Sequence, residues 1–254
     1  MVVSKHVRAR ITSRHDLTAE LWVVRLAPEE KISFSPGQYL TVGLPDGNRL
    51  IERPYSVASG PREAELEFFV ELVREGQLTP QLYTVPVGGE VLMRRAAKGR
   101  FLFDEPSGRP NHFMVATVTG VAPFLSMVRE LVARQAEGGR IPYRVVLLHS
   151  ASVSEELGYA DELTACSRAH SWLSYVPTVS RVWLDSGWTG EVGRAEDVLR
   201  KHLDGFGFKP GDTTAYLCGN PNMIHNAKQV LERAGFSKES MKEEQYWVET
   251  EPRA

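Results

Sequence analysis

The chain is poor in cysteine: among its 254 residues only Cys166 and Cys218 carry a thiol. Two thiols cannot build a disulfide scaffold, a four-cysteine zinc site or a four-cysteine iron–sulfur cluster. Electrons that pass through this chain therefore need an organic carrier. The seven histidines (His6, His15, His112, His149, His170, His202 and His225) show no HExxH or other tight ligand spacing, and GxSxG and GK[ST] elements are both absent. Metalloprotease, serine hydrolase and P-loop readings thus lose their motifs, and no metal site is expected. No apolar run approaches the ~18 residues of a membrane-spanning helix, and MVVSKHVRAR lacks the apolar stretch of a secretory leader. A cytoplasmic location without a membrane partner is expected. Lys plus Arg number 30 against 32 Asp plus Glu, a net charge of −2, so there is no global basic field and no nucleic-acid partner is expected.

What is present describes two compact units. Hydrophobic residues at 42% and charged residues at 24% can bury a core, and the length favours two smaller domains over one. In the first hundred residues, short β-branched and aromatic runs (HVRARITSRHD, AELWVVRLAP, QYLTVGLP, ELEFFVELV, GEVLMRR) alternate with glycine and proline turns. That pattern predicts a small antiparallel barrel or sandwich. From Phe113 onward, strands FMVA, RVVLLH, SYVPTVS and TTAYLCG alternate with helical segments beginning at Pro123, near Glu155, at AEDVLRKHL and at PNMIHNAKQVLERA. Alternation of this kind predicts a doubly wound parallel sheet. The polar linker DEPSGRP sets the expected boundary, giving domains at residues 1–104 and 111–254.

Four motifs carry chemistry. Arg53-Pro54-Tyr55-Ser56, expected to open a strand, offers a guanidinium for phosphates, an aromatic face for a flat heterocycle and a hydroxyl for a ring nitrogen. Gly76-Gln77-Leu78-Thr79 is a glycine turn whose amides and threonine hydroxyl suit a pyrophosphate, or else an ordinary strand-to-helix connection. Thr119-Gly120-Val121-Ala122-Pro123 lies between the first strand and first helix of the α/β unit, where such folds hold phosphates. Cys218-Gly219-Asn220-Pro221-Asn222-Met223 ends the last of the predicted strands, with Asn220 placed to cap the following helix. Taken alone, Cys218 reads equally as a small buried hydrophobe.

In this order, and closed by EEQYWVE, the motifs resemble the ferredoxin-NADP reductase family of flavoproteins, bacterial members above all, along nearly the whole chain. The resemblance implies a six-stranded FAD-binding barrel followed by an NADP(H)-binding α/β domain. It implies that Arg53 meets the FAD phosphates, that Tyr55 stacks on the flavin and that Ser56 reaches flavin N5. Phe69 and the turn from Gly76 to Thr79 complete the FAD site, and Thr119 to Pro123 bind the nucleotide phosphates. Cys218, with Gly219, Asn220 and Met223, lies beside the nicotinamide, and Tyr246 and Trp247 form a C-terminal aromatic tail over FAD. Ser56 and Cys218 are expected to position the reacting atoms rather than to act as nucleophiles.

Two departures matter. Val118 stands where many members carry glycine, which removes backbone freedom beside the pyrophosphate. Ser152 replaces an arginine common in NADP-using members, while Arg181 and Arg194 remain as 2′-phosphate contacts and Glu191 adds an opposing acid. The resemblance implies a flavoprotein exchanging a hydride with NADP(H) and single electrons with a separate ferredoxin or flavodoxin, which the basic run Arg94, Arg95, Lys98 and Arg100 is placed to meet. An NADH-dependent reductase of free flavin or of an oxygenase component, and a non-autonomous FAD-binding subunit, share the same motifs.

Overall fold

The computed structural model describes residues 5–246. Six antiparallel strands come first: β1 (His6–Asp16), β2 (Leu21–Pro28), β3 (Tyr39–Asp46), β4 (Arg49–Ser56), β5 (Leu66–Glu71) and, after the short helix α1 (Thr79–Thr84), β6 (Glu90–Arg94). Their order is β4-β3-β6-β1-β2-β5. The two edge strands curl towards each other where the chain leaving β4 bonds to β5, Ala58 N–H donating to Glu67 O at 2.8 Å. Side chains at period 2 fill the barrel, with Trp22, Val24, Leu40, Val42, Phe68 and Met93 among those sealed inside. The Arg53-Pro54-Tyr55-Ser56 run lies at the end of β4 rather than opening a strand, because the preceding PDGN turn starts the strand at Arg49.

The second sheet is wholly parallel: β7 (Asn111–Thr117), β8 (Arg144–Ala151), β9 (Leu173–Val179), β10 (Glu191–Val192), β11 (Thr213–Gly219) and β12 (Met241–Gln245), ordered β10-β9-β8-β7-β11-β12. The helices are α2 (Ala122–Ala136), α3 (Ala160–Ala169), α4 (Ala195–Gly205) and α5 (Pro221–Arg233). A 3-10 turn at Ser154–Glu156 precedes α3, so the helix expected near Glu155 starts later. Strand order reverses between β7 and β11, the switch point at which open α/β sheets bind ligands. One face packs on α4 and α5, where Phe113, Val146, Leu199, Leu217 and Ile224 meet. The other face, with α2, shares a continuous apolar cluster with Leu21, Ala58, Phe69 and Phe101 from the first unit. Arg129 on α2 fastens this junction, bonding Glu67 (2.9 Å) and Ala58 O (3.2 Å) of the barrel and Glu162 of α3 (2.7 Å).

The strand β12 leads directly to Tyr246, so the segment before the expected C-terminal aromatic tail is a sheet strand. MKEEQ is mostly polar because it is an edge strand, bound on one side only, to β11. Trp247 lies outside the described residues.

Candidate functional site

Residues from both units converge where the ends of β4, β11 and β12 meet. Ser56, buried at the end of β4, donates through Oγ to Glu244 Oε1 at 2.6 Å. Glu244 is in register with Cys218 across the β11–β12 pair, and Cys218 is fully buried. The Tyr246 phenol, two residues further along the same strand face, lies beside both Ser56 and Cys218. Burial pushes the Glu244 carboxyl up, opposed by the Ser56 hydrogen bond, and burial pushes the Cys218 thiol and Tyr246 phenol well up. Burial therefore disfavours the charged form of each of the three groups. The cluster's chemistry is hydrogen bonding and proton retention, not thiolate nucleophilicity.

Glu244 lies within EEQYWVE, but the sequence assigns it no role. The signal available was strand period: a residue two before Tyr246 shares its face. That signal needs β12 to be recognised as a strand, and its polar sequence hides it.

Beside this cluster, Arg53 Nη1 donates to Glu52 O at 2.8 Å, and Pro54 is exposed. The Tyr55 ring meets Phe68 edge-on, with centroids 6.4 Å apart, and its buried hydroxyl has no hydrogen-bond partner. An orphaned buried hydroxyl beside an arginine at a strand end fits a polar cofactor supplying the missing partner.

Other expected residues serve packing. Phe69 turns away from the barrel interior and is buried against Tyr159 (centroids 5.6 Å) and Gly158, where an added Cβ would come within 2.5 Å of the Phe69 ring. It joins the two units, because alternate residues of β5 face the barrel interior and the second domain. In the glycine turn, Gly76 N–H donates to Val73 O (2.8 Å), and exposed Gln77 accepts from Gln81 Nε2 through its carbonyl. Leu78 is buried, and the Thr79 hydroxyl accepts from Val73 N (2.9 Å) and donates to Val73 O (3.2 Å). That hydroxyl is spent on closing its own loop. Met223 lies in the core under α5, on the helix face directed at the sheet, and not at the ligand edge.

At the switch point, a 3-10 turn over Val118–Val121 leads into α2. Thr119, Gly120, Val121, Ala122 and Pro123 are all buried, so the loop offers backbone rather than side chains. Gly120 packs so tightly that an added Cβ would stand 2.4 Å from Cys218 O. Gly219, at φ +122°, faces Thr117 equally closely, and the Thr117 hydroxyl accepts from Asn220 N at 2.8 Å. Asn220 Oδ1 caps α5, accepting from Asn222 N (2.8 Å) and Met223 N (3.4 Å). Val118 has φ +44°, the left-handed region that a β-branched side chain enters only under strain of about 1–3 kcal/mol.

At the outer edge, Arg181 N–H donates to Ser152 O at 2.9 Å, and Ser152 N–H to Glu156 Oε2 at 2.8 Å. Arg181 and Arg194 are exposed, and their guanidinium groups make no ion pair among the described residues. The expected opposition from Glu191 does not hold: its carboxylate is taken by Lys201 (2.6 Å) and His202 (2.9 Å), Lys201 foremost in keeping it ionised. The basic run is likewise partly neutralised. Arg94 pairs with Glu52 through two bonds of 2.6 and 2.9 Å and Arg95 pairs with Glu30, leaving Lys98 and Arg100 exposed. Among the described residues there is no cluster suited to a metal ion and no helix long and apolar enough to cross a membrane.

Comparison with known proteins agrees with this architecture. Residues 8–103 match the oxidoreductase FAD-binding domain and residues 114–229 the oxidoreductase NAD-binding domain. The ferredoxin–NADP reductase of Pseudomonas aeruginosa is 29% identical over 240 residues, 89% of each chain. The flavodoxin/ferredoxin–NADP reductase of Rhodobacter capsulatus is 27% identical over 252 residues, 94% of this chain and 90% of that one. A crystal structure of a ferredoxin NADP+ reductase from Neisseria gonorrhoeae, with bound FAD and NADP, superposes with a TM-score of 0.83 at 26% identity, covering 95% of this chain and 99% of that one. With a barrel matched to FAD binding, a switch point matched to nicotinamide nucleotide and relatives spanning both, the chain is a flavoprotein oxidoreductase and belongs to the ferredoxin–NADP reductase family.

Proposed function

We propose that this enzyme moves a hydride between NADP(H) and FAD, and single electrons between FAD and a separate ferredoxin or flavodoxin in the cytoplasm. Residues 1–104 hold FAD and residues 111–254 hold the nucleotide. The observation that carries the proposal is the 2.6 Å bond from Ser56 to Glu244, which joins the barrel motif to the end of the α/β unit beside Cys218. FAD, when bound, takes up two electrons together and gives them out singly, which no side chain here can do.

The residues bind and orient. Arg53 meets FAD phosphates, the Tyr55 ring covers the flavin, and its orphaned hydroxyl finds a partner there. The single Ser56 hydroxyl proton goes to Glu244 in this structure and would turn to the flavin's reacting edge when FAD is bound. Glu244 accepts from Ser56 and so holds its hydroxyl in place, and the protonated Cys218 thiol fills the nicotinamide position's floor without competing as a nucleophile. Tyr246 stands between Ser56 and Cys218 and must turn aside when nicotinamide enters. The turn Thr119 to Pro123 at the start of α2 takes the nucleotide pyrophosphate, and Arg181 and Arg194 take the 2′-phosphate.

The names of the Pseudomonas and Rhodobacter relatives support the carrier class. The test is the visible spectrum and flavin content of purified protein, then diaphorase rates with NADPH and NADH, then reduction of ferredoxins and flavodoxins. About one FAD per chain, a preference for NADPH and electron transfer to one of the carriers are expected. A folded, colourless protein that takes up no FAD would overturn the cofactor assignment, and efficient flavin reduction with no carrier reduced would overturn the partner.

A further inference from the structure

The strained residue of the switch-point loop has a specific holder. Val118 at φ +44° turns its carbonyl inward, where His149 Nε2 lies 3.0 Å away. His149, on β8, is fully buried, and its other ring nitrogen, Nδ1, lies 3.1 Å from the Tyr175 hydroxyl on β9. A carbonyl can only accept, so Nε2 carries the proton, and Nδ1 accepts from the Tyr175 phenol. Burial keeps the imidazole neutral, its pKa lowered to about 4. The Val118 side chain is also gripped, packing against the small cluster of Ala151, Leu157 and Val179.

Resting on the nucleotide site proposed above, we infer that His149 is a positioning residue, whose Nε2–H holds the Val118 peptide in the left-handed conformation and so aims the turn at the start of α2 at the nucleotide phosphates. Glycine at 118 would adopt this conformation unaided. Valine makes the loop depend on the histidine. Without that bond the loop relaxes, the binding-competent fraction falls, and apparent affinity falls with it.

The inference has a double signature in a cycle of His149→Phe and Val118→Gly. It is read on oxidised holoenzyme by calorimetric titration with NADP+ and by thermal melting without nucleotide. With Val118 present, His149→Phe should raise the Kd for NADP+ about tenfold, the consequence of a competent fraction near one tenth. In the Val118→Gly background the same change should raise it less than threefold. Thermal stability should move oppositely: His149→Phe lowers Tm less with Val118 than with glycine, because relaxation releases the valine's strain. Equal affinity losses in both backgrounds, or losses that track Tm, would make His149 a packing residue and overturn the inference. If the Phe variant does not fold, His149→Leu in the same two backgrounds is judged by the same outcomes. Should wild type bind no NADP+, the nucleotide reading falls, and the Tm cycle still decides the clamp.

Discussion

At the end of β4 the barrel presents side chains: a guanidinium at Arg53, a phenol without a partner at Tyr55 and a hydroxyl at Ser56. At the ends of β7 and β11 the α/β unit presents backbone, with Thr119 to Pro123 buried and two glycines, Gly120 and Gly219, in contact with neighbouring main chain or hydroxyl. The difference follows from how each element ends. A barrel strand leaves alternate side chains pointing outward at its rim. A strand that runs into a helix presents unpaired amides, and these reach a phosphate only if nothing bulky lies between. Removing a side chain should therefore damage the first site locally, and adding one should damage the second globally.

The largest break is Gly120→Ala. The new Cβ would stand 2.4 Å from Cys218 O and 2.9 Å from the Gly219 Cα, all main chain that cannot swing aside. A loss of about 3 kcal/mol or more is expected, at the upper end of overpacking, with NADP+ affinity falling at least a hundredfold. Thermal melting and nucleotide titration measure both; a variant with wild-type Tm and affinity would refute the close-packed reading of this loop.

Acid should separate the units next. His112 and His149, both in the α/β sheet, are held neutral by burial, each with its pKa lowered to about 4. The unfolded chain protonates its histidines near 6.5 and the native unit does not, so stability falls from that pH down to about 4. Between pH 7 and pH 5 each histidine removes about 2 kcal/mol. Glu244, pushed up by burial, gains stability as pH falls and offsets part of this. In the barrel, Glu71 is raised in the same way, and Glu52, drawn down to about 2 chiefly by its Arg94 bond, stays ionised throughout the window. The two histidines together set a loss of about 4 kcal/mol in the α/β unit, which Glu244 reduces. Amide exchange at pH 7 and pH 5 should show β7 and β8 losing protection before β1 to β3; the reverse order would contradict the assignment.

The contrast also explains what the sequence could reveal. Alternating patterns placed the barrel strands and the β/α alternation, since period and turn chemistry are local. The roles of Phe69, Thr79 and Met223 were not legible as packing, because each depends on which neighbour fills the other side: Tyr159 and Gly158 for Phe69, the Val73 backbone for Thr79, the helix–sheet core for Met223. Glu244 was hidden because β12 is polar along an edge and gains its meaning only from Ser56, 188 residues earlier. Val118 was legible as a departure but not as strain, which needed the φ angle and His149.

On the barrel side, Arg53→Ala should weaken FAD binding by about 2 kcal/mol, roughly thirtyfold, as expected for a charge-assisted phosphate contact. The melting of the apoprotein should barely move, because the side chain lies at the rim. Flavin dissociation measured by fluorescence checks the first effect and a thermal scan of flavin-free protein the second. An unchanged FAD Kd would reduce Arg53 to a strand-end residue bonded to Glu52 O.

The smallest expected effect tests the one place where the second site relies on side chains. Arg181 and Ser152 are bonded neighbours, Arg181 N–H to Ser152 O at 2.9 Å, and the Arg181 guanidinium is exposed. The Glu191 carboxylate is already taken by Lys201 and His202, so its repulsion of a dianionic 2′-phosphate is reduced, and the Glu156 carboxylate on Ser152 N is the acid that Arg181 must outweigh. NADPH should therefore win over NADH, and Arg181→Ala should remove about tenfold of the preference, close to 1.4 kcal/mol. Ser152→Arg should add less than the full tenfold, because Glu156, already bonded to Ser152 N at 2.8 Å, competes for the new guanidinium. Glu191→Gln should leave the preference within about threefold, a carboxylate already paired having little repulsion to lose. The ratio of kcat/KM for the two nucleotides in these three variants decides the matter. A wild type that prefers NADH, with Arg181→Ala changing nothing, would give the site to the diol and the enzyme to NADH.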